Sequence, residues 1–341
     1  MFEGNIELKD FYSDTTKYFL NLFEDNWVAS LYQIPSSDCQ LSYGNRLRPQ
    51  LCLWGYLATI NEATEGSVNF ESIVNTAVCI ELTHKASLLL DDWIDNDEKR
   101  RGVATYHVVN GVHETVLCAI KMLSLAYDRI GDSVDVKSVP PHNYYLSVRT
   151  LSSIIQSMAD GAILELSSSD NTVISYSDVK RITQMQTSEI LGNSMILGYY
   201  TGEKNAIDHK TVDTFKRIGD ICGYYFQIMN DLESFLNPSG IQKHKGNKTP
   251  ELEHSNKNFV TSKLWCIAND SDRNLISLGD GDDIMPLIQK YNIIELMLGE
   301  TDDINLYLTD YIRNSDLPMD WRIGFLSFLE DVNNYATERL K

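Results

Sequence analysis

Positive charge is scarce in this sequence. It carries 29 Lys and Arg against 48 Asp and Glu, a formal net charge of −19. A chain this acidic repels polyphosphate backbones and anionic lipid surfaces, so nucleic acid is excluded as an expected partner. To handle a phosphorylated ligand it would need divalent cations or a local basic pocket. The six cysteines, at 39, 52, 79, 118, 222 and 266, form no Cys-x-x-Cys pair and have no histidine at zinc-finger spacing. Lying in apolar stretches, they are expected to be buried thiols of a reducing compartment. No window approaches eighteen consecutive apolar residues, so no membrane span is expected. Met1 to Asp10 alternates acidic and apolar residues, without the basic start and apolar run of a signal peptide, and the expected setting is cytoplasmic. Low-complexity tracts, repeats of twenty to fifty residues and Pro/Gly-rich linkers are missing too, which predicts one domain over residues 1–341.

What is abundant is apolar spacing of the helical kind. Ile73, Val74, Ala77, Val78, Ile80 and Leu82 recur with it, as do Ile182, Met185, Ile190, Leu191, Met195 and Ile196. Strand-like alternation is short and rare. Turn residues separate these segments at Gly131-Asp132-Ser133, at Val139-Pro140-Pro141, at Ser167 to Asn171 and over 237–258. An all-α chain follows, with a hydrophobic share of 43% that suffices for a substantial core. The segment 237–258 reads as a flexible polar loop, and its Lys243, Lys245, Lys248 and Lys257 make it a local cluster of positive charge.

The densest chemistry runs from His84 to Gly102. Asp91 and Asp95 stand one helical turn apart on one face, with Asp92 beside them, at the end of a strongly apolar helix. Carboxylates this close repel unless cations sit between them. Magnesium takes one or two carboxylates and completes its shell with water and phosphate oxygens. The Arg100-Arg101-Gly102 that follows suits a metal-coordinated diphosphate, because a guanidinium binds phosphate oxygens in bidentate fashion.

The run from Asp91 to Gly102 resembles the first aspartate-rich motif of the trans-isoprenyl diphosphate synthases, or polyprenyl synthetases. Gly44-Asn45-Arg46-Leu47-Arg48-Pro49 looks like that family's Gly-Lys-Arg-x-Arg-Pro signature, and His84 falls seven residues before the first aspartate, as in the family. Gly161 to Leu166 is similar to Gly-Gln-x-x-Asp-Leu, with Ala162 and Glu165 as departures. Phe226 to Ser234 stands where the family has Phe-Gln-x-x-Asp-Asp-x-x-Asp.

The resemblance implies an isoprenoid synthase (class I terpenoid synthase) fold, a helical bundle around a central cavity, and a homodimer. It implies two or three magnesium ions held by Asp91, Asp92 and Asp95 and, in the second motif, by Asn230, Asp231 and Ser234. Arg100 and the position of Gln186 would contact an allylic prenyl diphosphate. Asn45, Arg48, His84 and Arg101 would hold isopentenyl diphosphate or another anionic acceptor, and one of Lys243, Lys245, Lys248 and Lys257 in the polar loop is expected to close over the diphosphates. Thr187 and Gln227 would point oxygen dipoles at the developing cation. Ala86 and Ser87 are small, which implies products of twenty carbons or more.

Several of these positions depart from the family. Asn45 and Gln186 each replace a lysine, and Asn230 and Ser234 replace two aspartates. Asn230-Asp231-x-x-Ser234 begins like the metal motif of class I terpene cyclases but meets Pro238 where that motif needs Glu. Retention of Arg48, His84 and Arg101 argues for an anionic acceptor and ranks transfer above cyclisation. The intact first motif argues against a non-catalytic subunit.

Overall fold

The computed structural model describes residues 3–34, 40–60, 69–133, 139–167, 174–237, 258–278 and 281–340. In chain order the helices are α1 (Glu3–Leu31), α2 (Leu47–Leu57), α3 (Phe70–Ile94), α4 (Tyr106–Asn110), α5 (Val112–Ser133), α6 (Pro141–Ser167) and α7 (Tyr176–Thr183). A π-helical turn, Gln184–Ser188, joins α7 to α8 (Glu189–Gly202). Then come α9 (His209–Leu236), α10 (Phe259–Ile267), α11 (Asp270–Leu278), α12 (Gly281–Lys290), α13 (Ile293–Arg313) and α14 (Met319–Arg339). Among the described residues the strands are two dipeptides, β1 (Lys99–Arg100) and β2 (Val103–Ala104), paired antiparallel. The all-α expectation therefore holds.

Short polar side chains start several of these helices by accepting otherwise orphaned amide protons. Asn69 caps α3 through Ser72 N–H, Ser175 caps α7 through Asp178 N–H, and Asn258 caps α10 through Thr261 N–H. Asp208 caps α9 through the amides of Lys210 and Thr211.

α3 is apolar nearly all round, the pattern of a helix wrapped on every side. By length and composition it could cross a membrane, yet 72% of its apolar window is buried inside the protein. It is the central helix of a core to which α1, α2, α5 and α8 also contribute. A second core gathers residues of α7, α9, α10, α12 and α13.

Two features join distant parts of the sequence around α2. α2 and α8 cross almost backbone to backbone: a Cβ on Gly55 would lie 1.8 Å from Met195 O, and one on Gly198 would lie 1.8 Å from Cys52 O. α14 is tied to α2 by Trp321 Nε1, which donates to Trp54 O at 2.7 Å, and by stacking of Trp321 on Phe325 beside Trp54.

Cys52, Cys79, Cys118 and Cys222 are buried as expected, but Cys266 near the end of α10 is exposed. Cys39 lies outside the described residues. So do Lys243, Lys245, Lys248 and Lys257; of the polar segment only Asn237 and Asn258, at its two ends, are described.

Candidate active site

At its carboxyl end α3 hands the chain to a tight hairpin. Asp95 closes the helix by donating its N–H to Asp91 O at 2.9 Å, Asn96 turns with φ 55°, and Asp97 N–H returns to Asp92 O at 2.9 Å. Arg101 and Gly102, the two loop residues of β1–β2, have φ 55° and 79°. Two positive φ values in a two-residue loop match the right-handed twist of a hairpin, and they cost a non-glycine residue such as Arg101 some strain.

That turn folds Arg100 back onto the helix end. Its Nε and one Nη each lie 2.5 Å from Asp92 Oδ1, and the same Nη is 3.5 Å from Asp91 Oδ2. Burial acts to lower the Arg100 pKa, but Asp92 and Asp91 outweigh it and raise the value above its ordinary one. The three aspartates thus have different environments. Asp92 is fully buried against Arg100, whereas Asp91 is exposed and Asp95 half-buried, one turn apart.

A basic pocket lies beside them. Arg48 Nη1 is 3.0 Å from His84 Nε2. Arginine can only donate, so Nε2 accepts and the proton of a neutral imidazole sits on Nδ1. Burial, then Arg48, Lys85, Arg100 and Arg101, hold the His84 pKa well below its ordinary value, in agreement with that tautomer. Burial also lowers Arg48 to about 10, Glu81 opposing and Arg101 adding to the effect. The Arg48 Nε is enclosed with no hydrogen-bond partner among the described residues.

Arg46, with φ 53°, is buried and anchored to Glu24 at 2.7 Å and Glu81 at 2.9 Å, so it fixes the loop before α2. Asn45 is exposed; its Oδ1 accepts Leu47 N–H at 3.3 Å, a local turn contact.

Across the bundle the π turn presents the next candidates, in a helical irregularity that is frequent at functional sites. Gln186 Nε2 donates to Glu165 Oε2 at 3.1 Å, so two departures from the family pattern pair with each other. Gly161 permits the approach, since a Cβ there would lie 2.7 Å from Gln186 Cγ. Thr187 Oγ1 reaches Gln227 Oε1 at 3.5 Å, Gln227 Nε2 donates to Asp231 Oδ1 at 2.9 Å, and Asp231 Oδ2 accepts Phe259 N–H at 2.8 Å.

The second motif is not arranged like the first. Asp231 and Ser234 are buried, while Asn230 is exposed. Arg339, at the end of α14, pairs with Glu233 and lies 3.5 Å from Asn230 Oδ1. An arginine therefore stands among these side chains.

The Polyprenyl synthetase family profile matches residues 30–276. The chain belongs to the polyprenyl synthetase family. Among curated relatives it is 28% identical over 196 residues to a chloroplastic geranylgeranyl pyrophosphate synthase of Capsicum annuum, covering 56% of this chain and 50% of that one. It is 24% identical over 222 residues to the geranylgeranyl pyrophosphate synthase of Geoglobus acetivorans, covering 65% and 64%. The chain thus spans between half and two-thirds of the length of these relatives. Among solved structures it is similar to a geranylgeranyl pyrophosphate synthetase from Pyrococcus horikoshii, with a TM-score of 0.74, 19% identity and coverage of 99% and 98%. A decaprenyl diphosphate synthase from Rhodobacter capsulatus gives a TM-score of 0.75 at 19% identity, with 99% of each chain covered. These structures establish the shared fold.

For a polyprenyl synthetase, the question is whether the residues present fit a divalent ion. Among the described residues no three His, Cys, Asp or Glu side chains gather closely enough to enclose one. Asp91 and Asp95 offer hard oxygen donors from one helix face, at a helix carboxyl end whose dipole favours cations. Two carboxylates with the remaining shell left to water and phosphate oxygens suit magnesium.

Sequence reading gave no role to four residues that the structure places among these side chains: Arg46, Lys85, Glu233 and Arg339. Lys85 had a signal, a lysine four residues after Glu81 in an otherwise apolar helix. Arg339 had none, because only the folded chain brings α14 to α9.

Proposed function

We propose that the protein is a magnesium-dependent prenyltransferase that ionises an allylic prenyl diphosphate and couples it to isopentenyl diphosphate. The observation that carries this reading is that two unlike charge assemblies share one helix end. Asp91, Asp92 and Asp95 with Arg100 form the first; Arg48, His84 and Arg101 form the second. An enzyme acting on one diphosphate needs only the first.

Two or three magnesium ions, with Asp91 and Asp95 as their ligands from the chain and water and phosphate oxygens completing their shells, would offset charge on the departing diphosphate. The rest of the chemistry falls to the chain. Arg100, fixed by Asp92, holds the allylic diphosphate, and the carbon–oxygen bond breaks with its electron pair leaving on the diphosphate. Arg48 and Arg101 hold the acceptor diphosphate, with the His84 Nδ1–H as a neutral donor. The acceptor double bond attacks the allylic carbon, and the departed diphosphate removes the final proton. Thr187 and Gln227 turn oxygen dipoles toward the cation, and apolar helix walls exclude water.

Ala86, five residues before Asp91, is small and buried, and Ser87 is small and half-buried, its hydroxyl donating to His84 O at 2.8 Å. Little bulk there blocks a lengthening chain, and the proposed product has twenty carbons or more. A homodimer in a reducing, cytoplasmic setting belongs to the same proposal.

Incubation with magnesium and allylic diphosphates of five to twenty carbons, with and without isopentenyl diphosphate, tests this reading. Longer diphosphates are expected only with the acceptor present. A hydrocarbon or terpene alcohol formed without it would make the protein a cyclase, and no consumption at all would make it a non-catalytic subunit.

A further inference from the structure

We propose that Lys85 of α3 binds the acceptor diphosphate, supplying from the helix the cation that Asn45 does not supply from the loop. The inference rests on the transfer reading above and goes beyond it by naming a residue outside the family's motifs.

The geometry is a convergence of positive nitrogens on an exposed glycine. A point one Cβ bond from Gly44 lies 3.2 Å from an Arg46 Nη, 3.5 Å from an Arg101 Nη and 3.5 Å from Lys85 Nζ. Gly44 itself is exposed, so these nitrogens gather beside a residue that solvent reaches, while the Lys85 side chain is only 5% exposed and its amine is held in place. Arg48 with His84 lies on the same segments, one residue beyond Leu47 and one before Lys85.

The charge balance leaves room for an anion. Among the described residues Arg46, Arg48, Lys85 and Arg101 are four cations, and the carboxylates beside them are Glu24 and Glu81. Arg46 takes both, at 2.7 Å and 2.9 Å, leaving Lys85 Nζ 3.8 Å from Glu81. Like charges gathered in a partly desolvated pocket cost stability unless something negative offsets them.

Lys85 spends one donor on Tyr43 O, at 2.5 Å. An ammonium has three, so two remain. Burial lowers its pKa to about 8; Glu81 opposes this, and Arg46, Arg101 and Arg48 add to it. Asn45, at the lysine position of the family signature, is by contrast exposed and engaged in its own turn.

The test is a cycle of Lys85→Met, Asn45→Lys and the double variant, read by steady-state kinetics with both substrates varied. Lys85→Met is expected to raise the KM for isopentenyl diphosphate at least tenfold and the KM for the allylic diphosphate less than twofold. Asn45→Lys alone is expected to change the acceptor KM less than threefold, because the cation is already present, and to recover most of the loss in the double variant. An unchanged acceptor KM in Lys85→Met, or no recovery in the double variant, would overturn the proposal.

If the wild-type protein uses no isopentenyl diphosphate, the transfer reading fails separately. Titration calorimetry with inorganic pyrophosphate in EDTA then decides the Lys85 assignment, which stands if Lys85→Met weakens binding tenfold and falls if binding is equal. Should Lys85→Met not fold, Lys85→Gln takes its place in the same titration: weaker pyrophosphate binding supports the assignment, and equal binding refutes it.

Discussion

Asp91 and Asp92 are neighbours in sequence with opposite surroundings, and substitution separates their roles. Asp91 is exposed, so Asp91→Asn is expected to change unfolding free energy by less than about 0.5 kcal/mol. Its turnover is expected to fall on the order of 100-fold or more, the scale of losing one charge-stabilising group. Asp92→Ala would strand the Arg100 guanidinium, which is one-quarter exposed and paired at 2.5 Å, and is expected to cost about 3 kcal/mol. Urea unfolding of both variants beside turnover checks the pair. His84 offers a pH test with a definite sign. Its pKa in the folded chain is held well below the 6.5 of a free imidazole, by burial and then by Arg48. The unfolded chain therefore binds the proton first as pH falls. The stability His84 contributes is complete above pH 6.5 and is lost progressively below it. Thermal unfolding between pH 7.5 and 5 should show a smaller decline in His84→Gln, which keeps an acceptor for Arg48.

Individual elements hold these side chains in place through close backbone contact. α2 carries Arg48 at its start and crosses α8 where Gly198 meets Cys52 O. Gly198→Ala would force those backbones apart, at a cost of about 3 kcal/mol. Because the shift moves α2, the acceptor KM should rise alongside the fall in unfolding midpoint; a destabilised variant with an unchanged KM would show that the crossing does not position the site. The helices and the aspartate end of α3 were legible in the sequence because helical periodicity and Asp-Asp-x-x-Asp spacing are local patterns. The Arg100-Arg101-Gly102 run was legible as a pair of anion-binding arginines, but not as the hairpin turn in which Gly102 takes φ 79°. The ion pair of Arg46 with Glu24 and Glu81, the approach of Lys85 to Gly44, and the docking of Arg339 on Glu233 were not. Each joins residues from separate elements and follows from packing rather than spacing. The second motif was read as a weakened metal site; the folded chain commits Asp231 to Gln227 and to the Phe259 amide.

Over the whole molecule, an acidic chain has concentrated cations beside its most acidic helix end. Arg46, Arg48, Lys85, Arg100 and Arg101 all come from two short segments, 46–48 and 85–101, in a protein of net charge −19. The account makes these two anion sites of different kinds. The aspartate end should hold a diphosphate only with a divalent ion, because carboxylates alone repel it. The basic pocket should hold one without. Titration calorimetry with isopentenyl diphosphate and with a non-ionisable allylic diphosphate analogue, each with magnesium and then with EDTA, measures this directly. The account predicts that the allylic analogue loses its binding in EDTA while isopentenyl diphosphate keeps its affinity within about threefold, since no metal bridges it to the cations that grip it. Equal dependence of both ligands on magnesium would contradict the two-site account.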